Sequence, residues 1–137
     1  MKLTQELYKQ IIDVVSPFEQ EVGILLGGND DTVTVFCLGK GQNPSIGQYT
    51  PDVDAVERVT SAWAADGIAF LGLAHTHREQ STSLSAGDIR YIRAVMQALQ
   101  GAADHLYFPV ISGGRMTVHK AFWRENEVII QREGDII

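Results

Sequence analysis

The sequence predicts an α/β fold: a single-domain sandwich in which one mixed β-sheet is flanked by helices. Three features carry that expectation. Apolar residues recur at helical spacing in three separate segments. Short β-prone runs bounded by turn residues lie between and after them. The order along the chain is helix, two strands, helix, strand, helix, then strands.

Leu3 to Ser16 reads as the first helix, with an apolar stripe of Leu7, Ile11, Val14 and Val15, a cap at Thr4 and a stop at Pro17. Glu21 to Leu26 is a mostly apolar strand, and Gly27-Gly28-Asn29-Asp30-Asp31 a turn. Thr32 to Leu38 alternates Val33, Val35 and Cys37 with Thr32, Thr34 and Phe36, as the second arm of a hairpin does. Gly39 to Thr50 is rich in Gly, Asn, Pro, Ser and Gln and reads as a surface loop. Asp52 to Ala65 is the second helix; Val53, Val56, Val59, Thr60 and Trp63 form its inner face and Gly67 closes it. Ile68 to Ala74 is apolar throughout, as a central strand is. Thr76 to Leu84 is polar and loop-like, and Ser85 opens a third helix carrying Ile89, Ile92, Val95, Met96 and Leu99, ended by Gly101. His105 to Ser112 is a strand, Gly113-Gly114 a tight turn, Arg115 to Trp123 its partner, and Glu127 to Gln131 a short last strand.

A chain of 137 residues fits one domain, 1–137, able to bury a core without staples. The formal charge of -6 opposes a nucleic-acid module, which needs a basic face, and opposes attachment to anionic lipid by charge. The single cysteine, Cys37, lies in an apolar run and reads as a small core residue, so the composition is compatible with a reducing, cytoplasmic setting. The N-terminal segment holds no long apolar stretch, so neither a signal peptide nor a membrane span is expected.

The chemistry concentrates after the central strand, which ends in His75-Thr76-His77. Residues two apart in an extended segment share a side, so both imidazoles can reach one ion. Ser85-Ala86-Gly87-Asp88 opens the third helix, and its plain reading is a helix start: Ser85 caps and Asp88 answers the helix dipole. That local role is compatible with a second one. Asp88 near the helix N-terminus can turn back toward the strand end. Two histidines and a carboxylate then make a three-ligand set with a fourth position open, which is the pattern of catalytic zinc.

The stretch His75-Thr76-His77, seven residues, Ser85, two residues, Asp88 resembles the signature of the JAMM (MPN+, JAB-domain) zinc metalloproteases at every fixed position. Phe70-Leu71-Gly72 and Tyr49-Thr50-Pro51-Asp52 resemble segments which that family places upstream. The resemblance implies an MPN/JAB, cytidine-deaminase-like sandwich. It implies zinc held by His75, His77 and Asp88, a general base on the first strand, and an oxyanion donor at Ser85. The base falls at Glu21 when Leu26 and Gly28 are aligned with the family pattern, although Ile24 replaces its middle glycine. Glu19, two residues earlier on the same face, is the reserve. Leu73-Ala74 before the histidines and Arg78 after them also depart from the pattern, at positions that shape the substrate groove and not the metal site. His105 and His119 read as edge or core histidines, and Ser81 and Ser83 as loop surface.

What the resemblance implies in function is hydrolysis of the amide after the C-terminal Gly-Gly tail of a ubiquitin-like or sulfur-carrier protein, as in compact prokaryotic deubiquitinase-like members. The tail would lie beside a strand, with the loop from Gly39 to Thr50 as one wall. Two other classes fit the same sequence: a metallohydrolase of another amide on this fold, and an MPN scaffold that only binds partners. The scaffold class typically lacks the metal ligands that this chain keeps. The sequence leaves the oligomeric state open.

Overall fold

The computed structural model describes residues 1–39 and 52–136. Most of the loop expected between Gly39 and Thr50 therefore lies outside the described residues. Among the described residues seven strands form one mixed sheet flanked by three helices, which is the mixed α/β sandwich expected. In chain order these are α1 (Gln5–Val15), β1 (Gly23–Asn29), β2 (Thr32–Gly39), α2 (Val53–Ala65), β3 (Ala69–Thr76), α3 (Ala86–Ala98), β4 (His105–Tyr107), β5 (Val110–Ser112), β6 (Arg115–Arg124) and β7 (Glu127–Ile136). β1 lies between β2 and β3, antiparallel to both. β4 and β5 are each parallel to β3 and antiparallel to β6, and β7 pairs β6 on its other side.

The period-two alternation of a strand divides the core. Ile24 and Leu26 of β1 pack on one face with Ile11 and Val15 of α1. Leu25 faces the other way, with Ile92 and Met96 of α3 and the half-buried Val56, Val59 and Trp63 of α2. Each helix starts on a polar cap: Thr4 accepts from Leu7 N–H, Asp52 from Ala55 N–H and Ser85 from Asp88 N–H. At Gly72 the sheet admits no side chain, because a Cβ there would stand 1.8 Å from the Tyr107 carbonyl oxygen. That glycine lets β4 close against the central strand.

Four element boundaries differ from the sequence expectation. β1 starts at Gly23 and leaves Glu21 and Val22 just ahead of it. Gly27 to Asn29 remain in the strand, and the turn tightens to Asp30 and Asp31, both left-handed at φ 52° and 61°. A pair of left-handed residues matches the twist of a two-residue hairpin, and aspartate tolerates that conformation. The run from His105 to Ser112 divides into β4 and β5 around Phe108-Pro109, since proline brings no N–H to the ladder. β7 continues five residues past Gln131, to Ile136. Its polar end, Gln131 to Asp135, hides the strand from hydrophobic patterning, yet an edge strand carries charge without penalty.

Candidate metal centre

The backbone around the histidines is pinned from both sides. His75 N–H donates to the Pro109 carbonyl at 3.0 Å and His77 N–H to the Ile111 carbonyl at 2.8 Å. Between them Thr76 N–H donates to the Val22 carbonyl at 2.9 Å, on the β1 side. Alternation then sends both imidazoles to the α3 face. α3 begins there with a reciprocal cap: Asp88 N–H donates to Ser85 Oγ at 3.1 Å and Ser85 N–H to Asp88 Oδ2 at 2.9 Å. The cap that starts the helix also aims the Asp88 carboxylate at the strand end.

Three polar groups meet at one point. His75 Nε2 and His77 Nε2 are 3.0 Å apart. Asp88 lies 3.1 Å from His75 Nε2 through Oδ1 and 2.9 Å from His77 Nε2 through Oδ2. Glu21, His75 and His77 also offer ligand atoms that all lie within 4.8 Å of one another. All four residues are buried, His75 completely. The buried cluster of Glu21, His75 and His77 can coordinate a divalent metal ion, with Asp88 against both imidazoles.

The hydrogen bonding leaves room at the centre of the cluster for either a proton or a cation. His77 Nδ1 lies 2.9 Å from the Ser81 carbonyl and must be the N–H that donates to it. At Nε2, His77 then either donates to Asp88 when protonated or presents a lone pair when neutral. When the second proton leaves His77, an ion at the centre can take its place between the imidazoles and the carboxylate. Zinc bonds of about 2.0–2.1 Å place tetrahedral ligands about 3.3 Å apart, close to the spacing of the two imidazoles and Asp88. Two carboxylates, Glu21 and Asp88, thus flank the imidazole pair.

Electrostatics distinguishes the four residues. Burial pushes His75 below the usual imidazole range, which keeps it neutral and ready to ligate. Burial would lower His77 too, but Asp88 and the Ser81 carbonyl accept from its ring and hold it above its ordinary 6.5. Burial likewise opposes ionisation of Asp88, yet the two histidines hold its carboxyl well below the usual carboxylate range. Burial raises the Glu21 carboxyl above its usual range, partly offset by His77. Without metal, His77 thus keeps its second proton to a higher pH than free imidazole does. A metal must displace that proton, so apparent affinity should climb as pH rises toward the His77 value and level off above it. Calorimetry in buffers of different ionisation enthalpy should count about one proton released per metal below that pH. A pH-independent affinity would place the metal elsewhere.

Tyr91 is a neighbour that hydrophobic patterning passes over. Its hydroxyl lies 2.7 Å from His75 Nδ1. A hydroxyl both donates and accepts, so it can serve either tautomer of His75 and orient the ring for ligation through Nε2. The available signal was its place three residues after Asp88 on one helix face. The Ser81 carbonyl is the other partner the sequence does not mark, because a main-chain acceptor has no residue-type signature. Glu19 is exposed, whereas Glu21 is only 6% exposed. His119 is buried, its Nδ1–H donating to the Phe108 carbonyl at 3.2 Å. His105 lies at the far end of β4, 2.7 Å from both Asp31 and Asp104. Neither joins the cluster. On the α1 face a cleft of about 430 Å³ passes Thr76, His77 and Arg78.

No protein-family model and no curated protein matches the chain. Among solved structures it is similar to protein DSY2949 from Desulfitobacterium hafniense, a solution structure, with a TM-score of 0.67 at 17% sequence identity. The match covers 95% of this chain and 88% of that one. At this identity the likeness concerns the fold alone: the sandwich is shared over nearly its whole length.

Proposed function

We propose that the protein is a metal-dependent hydrolase acting on an amide, with zinc as its ion. The observation that carries this reading is the meeting of His75 Nε2, His77 Nε2 and the Asp88 carboxylate at 2.9 to 3.1 Å, with buried Glu21 beside it. Two neutral imidazoles and one carboxylate, without cysteine, suit catalytic zinc better than structural zinc. Bound there, the ion would supply Lewis acidity and make a water acidic enough to attack near neutral pH. Glu21 takes up the proton at its carboxylate and returns it to the departing amine; its raised pKa brings it nearer the operating pH of a general base. Ser85 uses an oxygen lone pair to cap α3, which leaves its own hydrogen free to donate to the oxyanion.

Ser85→Ala should lower turnover by about ten- to a thousandfold, as loss of one oxyanion donor does. It should also cost about 1 kcal/mol of stability through the lost cap. A stability loss with unchanged turnover would reduce Ser85 to its capping role.

The narrower proposal is that the amide follows the C-terminal Gly-Gly tail of a ubiquitin-like or sulfur-carrier protein, in a JAMM-type reaction in the cytoplasm. The spacing of His75, His77, Ser85 and Asp88 supports it. The test is a panel of ubiquitin-like proteins extended by a short peptide, incubated with the zinc-loaded protein with and without chelator. A single cut after the glycine pair, abolished by chelation and slowed when the last glycine becomes valine, is the expected result. Hydrolysis of small amides with every fusion left intact would keep the metallohydrolase and discard the modifier substrate.

A further inference from the structure

Thr76 stands between two metal-binding candidates, but its hydroxyl is engaged on the other strand. The last register pair of β1 and β3 is Gly23 with His75, so Val22 and Thr76 face each other where the ladder ends. An antiparallel pair of this kind normally exchanges two main-chain hydrogen bonds. Here one is main-chain, Thr76 N–H to the Val22 carbonyl at 2.9 Å. In the other, Val22 N–H donates at 3.0 Å to Thr76 Oγ1 in place of the Thr76 carbonyl. A side chain thus replaces the backbone acceptor at the point where the chain leaves the sheet. Val22 is fully buried, and the next residue outward is Glu21, also buried and within 4.8 Å of the imidazoles.

We propose that Thr76 is a positioning residue for Glu21: its hydroxyl clamps Val22 N–H and thereby holds the Glu21 carboxylate against the metal cluster. The inference rests on the hydrolase reading above and assigns a role inside it. The histidines do not depend on this clamp. The His75 and His77 N–H groups donate to the Pro109 and Ile111 carbonyls on the opposite side, and Asp88 is fixed by its own cap. Loss of the hydroxyl should therefore loosen the base and leave the ligands in place. Valine keeps the β-branched shape a strand prefers and lacks only the acceptor.

The test compares wild type, Thr76→Val, Thr76→Ser and Glu21→Gln with the double variant Thr76→Val/Glu21→Gln. In Thr76→Val the Val22 amide should exchange with solvent about tenfold faster, the worth of one hydrogen bond. Zinc stoichiometry should stay unchanged. Turnover should fall by about a hundredfold with KM nearly constant, as a misplaced catalytic group costs. Thr76→Ser should restore both readouts, and the double variant should be no slower than Glu21→Gln alone. Multiplied losses in the double variant, a serine variant as slow as the valine one, or loss of zinc from Thr76→Val would each overturn the assignment. If wild type hydrolyses no amide, the hydrolase reading fails. The exchange of Val22 and the NMR order of the Glu21 backbone in Thr76→Val then still decide the clamp: unchanged values reject it.

Discussion

Glu21→Gln should keep its fold and a full equivalent of zinc while losing turnover by about a hundred- to ten-thousandfold, the contribution of a positioned general base. The amide fills the same volume but cannot accept the proton. Burial makes the substitution mild for stability, because the neutral side chain no longer carries the desolvation that raises the Glu21 carboxyl. Glu19→Gln should be nearly silent, since Glu19 is exposed and lies outside the cluster. Steady-state kinetics beside elemental analysis separate the outcomes. If Glu21→Gln loses zinc, Glu21 is a ligand and Asp88 is not needed as the third. If turnover survives, the proton passes elsewhere.

His77→Ala should lose zinc almost entirely, with affinity falling by more than the roughly 10–100-fold that removal of an outer-shell partner costs. His77 is tied into the cluster through both ring nitrogens. One ring nitrogen faces Asp88 and His75, and the other donates to the Ser81 carbonyl. Tyr91→Phe is the graded comparison. It removes the hydroxyl behind His75 and leaves every ligand atom, so its loss should fall within the outer-shell range. Asp88→Asn is sharper, because asparagine can still cap α3 but brings no charge to the ion. Equal zinc affinity across these three variants would remove the cluster as the binding site.

The sandwich was legible because its elements bury distinct faces. α1 and α2 show helical stripes, β3 is apolar throughout, and Gly113-Gly114 marks its turn. What escaped patterning was the edge. β7 is held by backbone bonds to β6, and its polar second half carries no hydrophobic signal. The pairing of His75, His77 and Asp88 was legible for the opposite reason: spacing on a strand and at a helix start dictates direction. The supports were not. The Ser81 carbonyl is main chain and has no residue-type signature. Tyr91 looks like any half-buried aromatic until the fold places it behind His75. The Thr76 clamp depends on where β1 starts, and that start falls two residues later than the apolar run indicates.

The most direct test of the metal centre is a zinc titration of the metal-free protein followed through the ring nitrogens of its histidines by 15N NMR. Saturation at one equivalent is expected. The Nε2 signals of His75 and His77 should move by the large shift of metal coordination, with Nδ1 of both remaining protonated. His105 and His119, tied to Asp31 and Asp104 and to the Phe108 carbonyl, should stay where they are. Zinc that shifts His105 or His119 instead, or that leaves the Nε2 signals of His75 and His77 unmoved at saturation, would contradict the account.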